Sequence, residues 1–323
     1  SHRSVKKRLL GREWAMPVAL APVGLTGMQC ANGEILAARA AKTFGIPYTL
    51  STMSICSLED IAEGTDGHPF WFQLYMMKDR KIAAHLITRA KKANCSALVL
   101  TVDLQVMGER YVDARNGLKT GNPVCLGNMW ELIKRWQWGM GMLKTKRRGF
   151  GNILGSVDTV SDPASLIAWV SEQFDLKLNW MDIEWVKSYW DGPLIIKGIM
   201  EVEDALNAVE AGVDAIIVSN HGGRQLDGAP PTITVLSDIV AAVDGRVKVF
   251  VDSGIRSGQD VLRALALGAD GAFIGRPYIW GLGAEGEAGV LKVLKLFHSQ
   301  LDISMAFCGL TNVDDVDSRI LYI

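Results

Sequence analysis

Ala215-Ile-Ile-Val-Ser-Asn-His-Gly-Gly-Arg-Gln225 passes from an apolar run to a tip where a histidine and an arginine are separated only by glycines. Four consecutive apolar residues ending in a polar tip read as a strand buried on both faces, the pattern of a parallel sheet. Glycine removes side-chain bulk and permits unusual backbone angles, so a ligand can approach the main chain closely. His221 can take up a proton near neutral pH, and Arg224 can grip a carboxylate with two parallel hydrogen bonds. A strand tip with both suits the holding of an acid and the removal of its proton.

The same pattern recurs along the chain. Apolar runs start at Val18, Tyr48, Phe70 and Ala97, then at Leu194, Ala215, Val247 and Ala272, spaced 21 to 32 residues apart within each group. Amphipathic segments with helical spacing lie between most of them, for example Glu34–Lys42 and Gly258–Ala266. This is the rhythm of βα units on a parallel sheet, and eight regular units predict a closed (β/α)8 barrel rather than an open, doubly wound sheet. Residues 1–323 are therefore read as a single barrel domain. The long gap, 104–193, is an insertion after the fourth strand. Within it, 119–148 carries seven basic residues against one acid, with Trp130, Trp136 and Trp138. Tryptophan among Lys and Arg is the composition of a segment lying on an anionic membrane surface, and equally of a mobile loop packed on the barrel rim. Both readings stay open.

Composition excludes several function classes. With 34 basic against 35 acidic residues, net charge is −1, which gives no reason to expect a nucleic-acid partner. No run approaches the roughly eighteen apolar residues of a spanning helix, and no apolar core follows the basic N-terminus as in a signal peptide. Five scattered cysteines without a C-x-x-C pair predict free thiols in a reducing, cytoplasmic compartment.

A closed barrel gathers its strand tips at one mouth. The tips supply Ser51, Gln73, Tyr75, Thr101, Asp103, Lys197, Ser219, His221, Asp252, Arg256, Gly275 and Arg276. Any one of these could simply cap the next helix. Lys197, directly after a buried Ile pair, needs a partner for its charge. Asp103 can reach the mouth that holds His221, where a carboxylate on one ring nitrogen fixes the imidazole tautomer and stabilises its cation. The tips Asp252-Ser-Gly-Ile-Arg-Ser-Gly258 and Gly275-Arg-Pro277 follow the last two strands, the loops that cradle phosphate in such barrels. Gly281-Leu-Gly-Ala-Glu-Gly286 matches the dinucleotide fingerprint literally, but lacks the strand-to-helix turn and the acid-tipped strand that the motif needs. No histidine pair has metal-ligand spacing, so no metal is expected.

These residues resemble the FMN-dependent L-2-hydroxy-acid oxidising enzymes, a family that includes glycolate oxidase, mandelate dehydrogenase and bacterial L-lactate dehydrogenase. The resemblance runs over nearly the whole chain. It is carried by Ala21-Pro-Val-Gly24, Trp71-Phe-Gln-Leu-Tyr75, Leu100-Thr-Val-Asp103, Ile196-Lys-Gly198, Asp252-Ser-Gly254, Leu265–Asp270 and above all Ser219-Asn-His-Gly-Gly-Arg-Gln-Leu-Asp227. Leu178-Asn-Trp180 and Trp190-Asp-Gly-Pro193 look most like the bacterial lactate dehydrogenases, which also associate with membranes.

The resemblance implies an FMN cofactor. Ala21, Ser51, Gln73, Thr101 and Lys197 would hold the flavin ring. Asp252, Gly254, Arg256, Gly275 and Arg276 would hold ribityl and phosphate. Tyr75, Arg110, His221 and Arg224 would line the substrate site, with Asp103 supporting His221. The implied reaction is oxidation of a small L-2-hydroxy acid, lactate foremost, to the 2-oxo acid, with electrons passed to a quinone or to oxygen. His221 would take the hydroxyl proton in a hydride account, or the α-proton in a carbanion account. The implied assembly is a homo-oligomer, a tetramer by resemblance, peripheral at the inner face of the cell membrane. One departure stands against the pattern: family members begin with a helical segment bearing a substrate-contacting tyrosine, and this chain opens almost directly on Leu9–Pro17. That departure keeps in view a non-catalytic flavin-binding remnant; a separate alternative among enzymes is an FMN barrel acting on a phosphorylated or prenylated substrate.

Overall fold

A computed structural model describes residues 3–106, 108, 115, 135–153 and 172–322. Two short antiparallel strands, β1 (Lys7–Leu9) and β2 (Arg12–Trp14), precede eight parallel ones. These are β3 (Val18–Leu20), β4 (Thr49–Ser51), β5 (Phe70–Tyr75), β6 (Cys95–Thr101), β7 (Leu194–Ile199), β8 (Ala215–Val218), β9 (Lys248–Val251) and β10 (Gly271–Ile274). Their order is β3-β10-β9-β8-β7-β6-β5-β4, and a parallel bridge between Leu20 and Tyr48 joins the first strand to the last. The sheet thus closes into the expected (β/α)8 barrel, and the open-sheet alternative falls. Asp103, Ser219 and Asp252 lie just past the ends of β6, β8 and β9, where the chain leaves the ladder to enter the next loop.

Side chains alternate across the barrel wall, as the two-residue period of a strand requires. Ala19, Trp71, Ala97, Val99, Ile195, Ala215, Ile217, Phe250 and Phe273 fill the interior. Leu20, Leu50, Phe72, Leu98, Ile196 and Ile216 belong to the outer cluster shared with the helices. Helices start where the sequence offers caps. Ser57 and Asp60 form a reciprocal capping box on Leu58–Gly64, and Ser257 caps Gly258–Ala266. The fingerprint-like Gly281–Gly286 lies inside the helical stretch Arg276–Phe307, which breaks at Glu285 and Gly286. Gly281 is needed there for packing, since a Cβ would come within 2.5 Å of the Gly289 carbonyl. No nucleotide turn is present at that place.

The floor of the barrel is closed by the β1–β2 hairpin, which the sequence reading treated only as a lead-in. Leu10 and Gly11 both take positive φ, the geometry of a tight two-residue hairpin turn. The hairpin delivers Leu9 and Trp14 into the interior cluster. Trp14 stacks on Phe250 (centroids 5.8 Å, 9° between planes) and meets Trp71 edge-on at 5.6 Å. Trp14→Ala should cost about 3–5 kcal/mol, because it opens a cavity lined by aromatic rings too far inside to collapse. Urea unfolding of the two proteins reads this directly, and a loss under 1 kcal/mol would show that the floor closes without the indole.

Candidate active site

The mouth of the barrel is organised by two strand tips that approach from sequence positions 118 residues apart. His221 Nδ1 lies 2.8 Å from Asp103 Oδ1. An N–H donated from Nδ1 to the carboxylate leaves Nε2 with its lone pair, ready to accept a proton. Local backbone makes this possible. His221, Gly222 and Gly223 all take positive φ (58°, 72° and 69°), so the chain turns back sharply after β8. A non-glycine residue is held in that region only when its surroundings over-determine it. On the other side, Gly198 has φ 111°, and a Cβ there would come within 2.7 Å of the Asp103 Cβ. Glycine at 198 lets the carboxylate sit close against β7.

Lys197 is the buried cation of the cluster. Its Nζ lies 3.2 Å from Asp252 Oδ2 and 4.0 Å from Asp103 Oδ2, and donates to Ser219 Oγ at 2.8 Å. Burial alone would lower its pKa, but the Asp252 and Asp103 carboxylates outweigh burial and leave it raised. Burial pushes the Asp103 carboxyl up. The Lys197 charge and the His221 hydrogen bond and charge outweigh that, and the net shift is down. The cation is therefore kept charged inside the barrel by two acids, one of which also holds the histidine.

The neighbouring tips show that a flavin would fit. Gln73 Nε2 and Thr101 Oγ1 are buried with no partner among the described residues, a costly state that a ligand edge rich in carbonyls and ring nitrogens would relieve. The Gln73 amide is already oriented, because its Oε1 accepts from Ser51 Oγ (3.1 Å) and from the Thr52 N–H (3.3 Å). Ala21 follows β3. Its N–H donates to Ile274 O, and its carbonyl accepts from the buried Tyr278 hydroxyl at 3.1 Å. Gly275 lies close by, its added Cβ 3.9 Å from that of Ala21. Gly254 has φ 117° and open space around it. Arg256 stacks over Trp280 at 5.5 Å; burial and the like charge of Arg276 both lower its pKa, so the pair would welcome an anion. Arg276 in turn donates to the Gly222 carbonyl.

The remaining expected residues are spread more widely. Tyr75 ends β5, buried, with its ring 5.3 Å from Phe174 and edge-on to it. Arg224 follows the His221 turn on its exposed side. Arg110 lies outside the described residues. The sequence reading missed several supports. Ser253 Oγ donates to Asp252 Oδ1 (2.6 Å) and accepts from the Gly222 N–H (2.9 Å). Asn152, inside the insertion, donates to Ser51 O and accepts from the Leu58 N–H. A hydroxyl beside Asp252 in a strand-end loop was a readable signal for Ser253, whereas nothing local marks Asn152.

Comparison with known proteins bears on the family and the fold. The family model described as FMN-dependent dehydrogenase matches residues 1–323. The L-lactate dehydrogenase of Chromohalobacter salexigens is 44% identical over 323 residues, covering 99% of this chain and 82% of that protein. That of Pseudomonas entomophila is 44% identical over 317 residues, 98% of this chain and 83% of that one. Among solved structures, the monotopic membrane protein (S)-mandelate dehydrogenase superposes with a TM-score of 0.93 at 35% identity, covering 100% of this chain and 85% of that chain. Mandelate oxidase with benzoyl-formic acid gives 0.79 at 38% identity, covering 98% and 81%.

Replacing Lys197 by Met should destabilise the protein by about 3–5 kcal/mol at neutral pH, since it strands two buried carboxylates without their cation. The lowered Asp103 pKa contributes stability that is present above the unfolded value of about 3.9 and lost as pH falls through the folded one. The raised Lys197 pKa contributes stability that is present below about 10.4 and lost as pH rises through the folded value. The gap between parent and Lys197→Met should therefore be widest between those limits and narrow on acidification below about pH 4. Urea titrations at pH 7 and pH 3.5 measure it, and a gap independent of pH would mean the loss is one of packing.

Proposed function

The chain belongs to the FMN-dependent dehydrogenase family, and from that premise we propose that it oxidises L-lactate to pyruvate with His221 as the base. FMN-dependent oxidation of an L-2-hydroxy acid is the activity of this chain, and the family model and relatives favour it over the remnant and the phosphorylated-substrate alternatives. Lactate in particular is supported by the names of the relatives at 44% identity. The observation that carries the assignment of the base is the 2.8 Å contact of His221 Nδ1 with Asp103, which leaves Nε2 as the acceptor.

FMN, when bound, supplies the two-electron sink. Ala21, Ser51, Gln73, Thr101 and Lys197 would hold its ring, which would give partners to Gln73 Nε2 and Thr101 Oγ1, unpartnered among the described residues. Asp252, Gly254, Arg256, Gly275 and Arg276 hold the ribityl chain and phosphate. Arg224, with Arg110, grips the substrate carboxylate by its planar fork, and Tyr75 lines the pocket. His221 Nε2 then takes a proton from the hydroxyl or the α-carbon. Either route requires the same locked imidazole, and the Asp103 carboxylate stabilises the cation that results. Replacing His221 by Gln should slow flavin reduction by lactate about a hundred- to ten-thousand-fold while FMN stays bound. Anaerobic stopped-flow reduction at the parent rate would remove His221 from the role.

We also propose peripheral attachment to an anionic membrane, with a membrane quinone as electron acceptor. No helix among the described residues is long and apolar enough to cross a bilayer. The helix Trp136–Lys144 instead exposes Trp136, Met140 and Leu143, spaced to share one face, with exposed Lys144, Lys146 and Arg148 nearby. That the (S)-mandelate dehydrogenase it resembles is a monotopic membrane protein supports this reading. Arg147 does not belong to the docking face. It pairs with Asp60 at 2.7 Å and with Asn32 at 3.0 Å, so it holds the segment onto the barrel. Residues 119–134 lie outside the described part. Changing Trp136, Met140 and Leu143 together to Ser should release the protein from anionic vesicles and leave dye-linked lactate oxidation within about two-fold, because no mouth residue is altered. Equal sedimentation of both proteins with such vesicles would count against docking by this helix.

A further inference from the structure

We propose that Ser253 is a positioning residue for His221, acting through the backbone of the turn that carries the base. The proposal rests on the reading of His221 given above. Three successive residues of that turn have positive φ, so its shape depends on what its N–H groups find as partners. The His221 N–H donates to Ser219 Oγ at 3.2 Å, and the Gly223 N–H to Asn220 at 3.0 Å, both within the turn's own neighbourhood. The Gly222 N–H is held from the following βα loop instead, by Ser253 Oγ at 2.9 Å.

Ser253 is itself fixed. Its hydroxyl proton is committed to Asp252 Oδ1 at 2.6 Å, which leaves the oxygen lone pair aimed at Gly222. Its carbonyl, and that of Asp252, accept from the Thr232 hydroxyl at 3.1 and 2.6 Å. The residue takes φ 65°, a region where glycine would rest without strain and serine does not. A strained serine where glycine would be easier points to a use for its hydroxyl. The connection runs from Lys197 through Asp252 and Ser253 to Gly222, so the buried cation and the base are referenced to one another by a further path besides those through Asp103 and Ser219.

Ser253→Gly is the informative change, because it removes the hydroxyl while relieving the left-handed strain. The holoenzyme should keep or raise its melting temperature. Its rate of flavin reduction by L-lactate, per bound flavin, should fall about ten- to a hundred-fold through a displaced imidazole. The pH profile of that rate should shift as well, whereas a purely structural role would leave it in place. Ser253→Ala, which loses the hydroxyl and keeps the strain, should show the same kinetic change with a lower melting temperature. A parent-like rate and pH profile in Ser253→Gly overturns the proposal, even if FMN is held less tightly. His221→Gln measured alongside separates the two levels. If that variant reduces flavin normally, the reading of His221 has failed; if it is inert while Ser253→Gly is parent-like, only the positioning role has failed.

Discussion

A lysine buried between two aspartates is the constraint around which the mouth of this barrel is arranged. Desolvation makes an unpaired ammonium prohibitively costly at that depth, so β6 and β9 must each bring a carboxylate to the end of β7. Once Asp103 is placed by that demand, it can also receive His221 at 2.8 Å. The turn after β8 then has little freedom, since Ser219 serves both Lys197 and the His221 N–H. One charge requirement thus sets the positions of four strand ends.

Stability and chemistry occupy opposite ends of the same sheet. At the floor, Trp14, Trp71, Phe250 and Phe273 pack ring against ring. At the mouth, buried polar atoms such as Gln73 Nε2 and Thr101 Oγ1 have no partner among the described residues. A strand alternates its faces but not its ends, so the same eight strands can hold a dry floor and a polar mouth without conflict. The insertion after β6 contributes to the mouth from outside. Arg80 anchors its return through Asp175 and Asp182 at 2.5 and 2.6 Å, which sets Phe174 against Tyr75.

The sequence by itself determined the barrel, through eight apolar runs at βα spacing, and the chemistry of its tips, through His221, Arg224, Lys197 and Asp103. Those features are local or periodic: burial on both faces of a strand, and residue types with one evident use, are visible without knowing what lies across the molecule. Family membership was legible for the same reason, in the unbroken block Ser219–Asp227. Only the tertiary structure decided that Leu9 and Trp14 close the floor, that Asn152 and Arg147 brace loops far from them in sequence, that Gly281 serves packing, and that Ser253 ties one βα loop to the next. The backbone angles of the loops select each of these contacts, and those angles are set when the closed sheet brings its strand ends together.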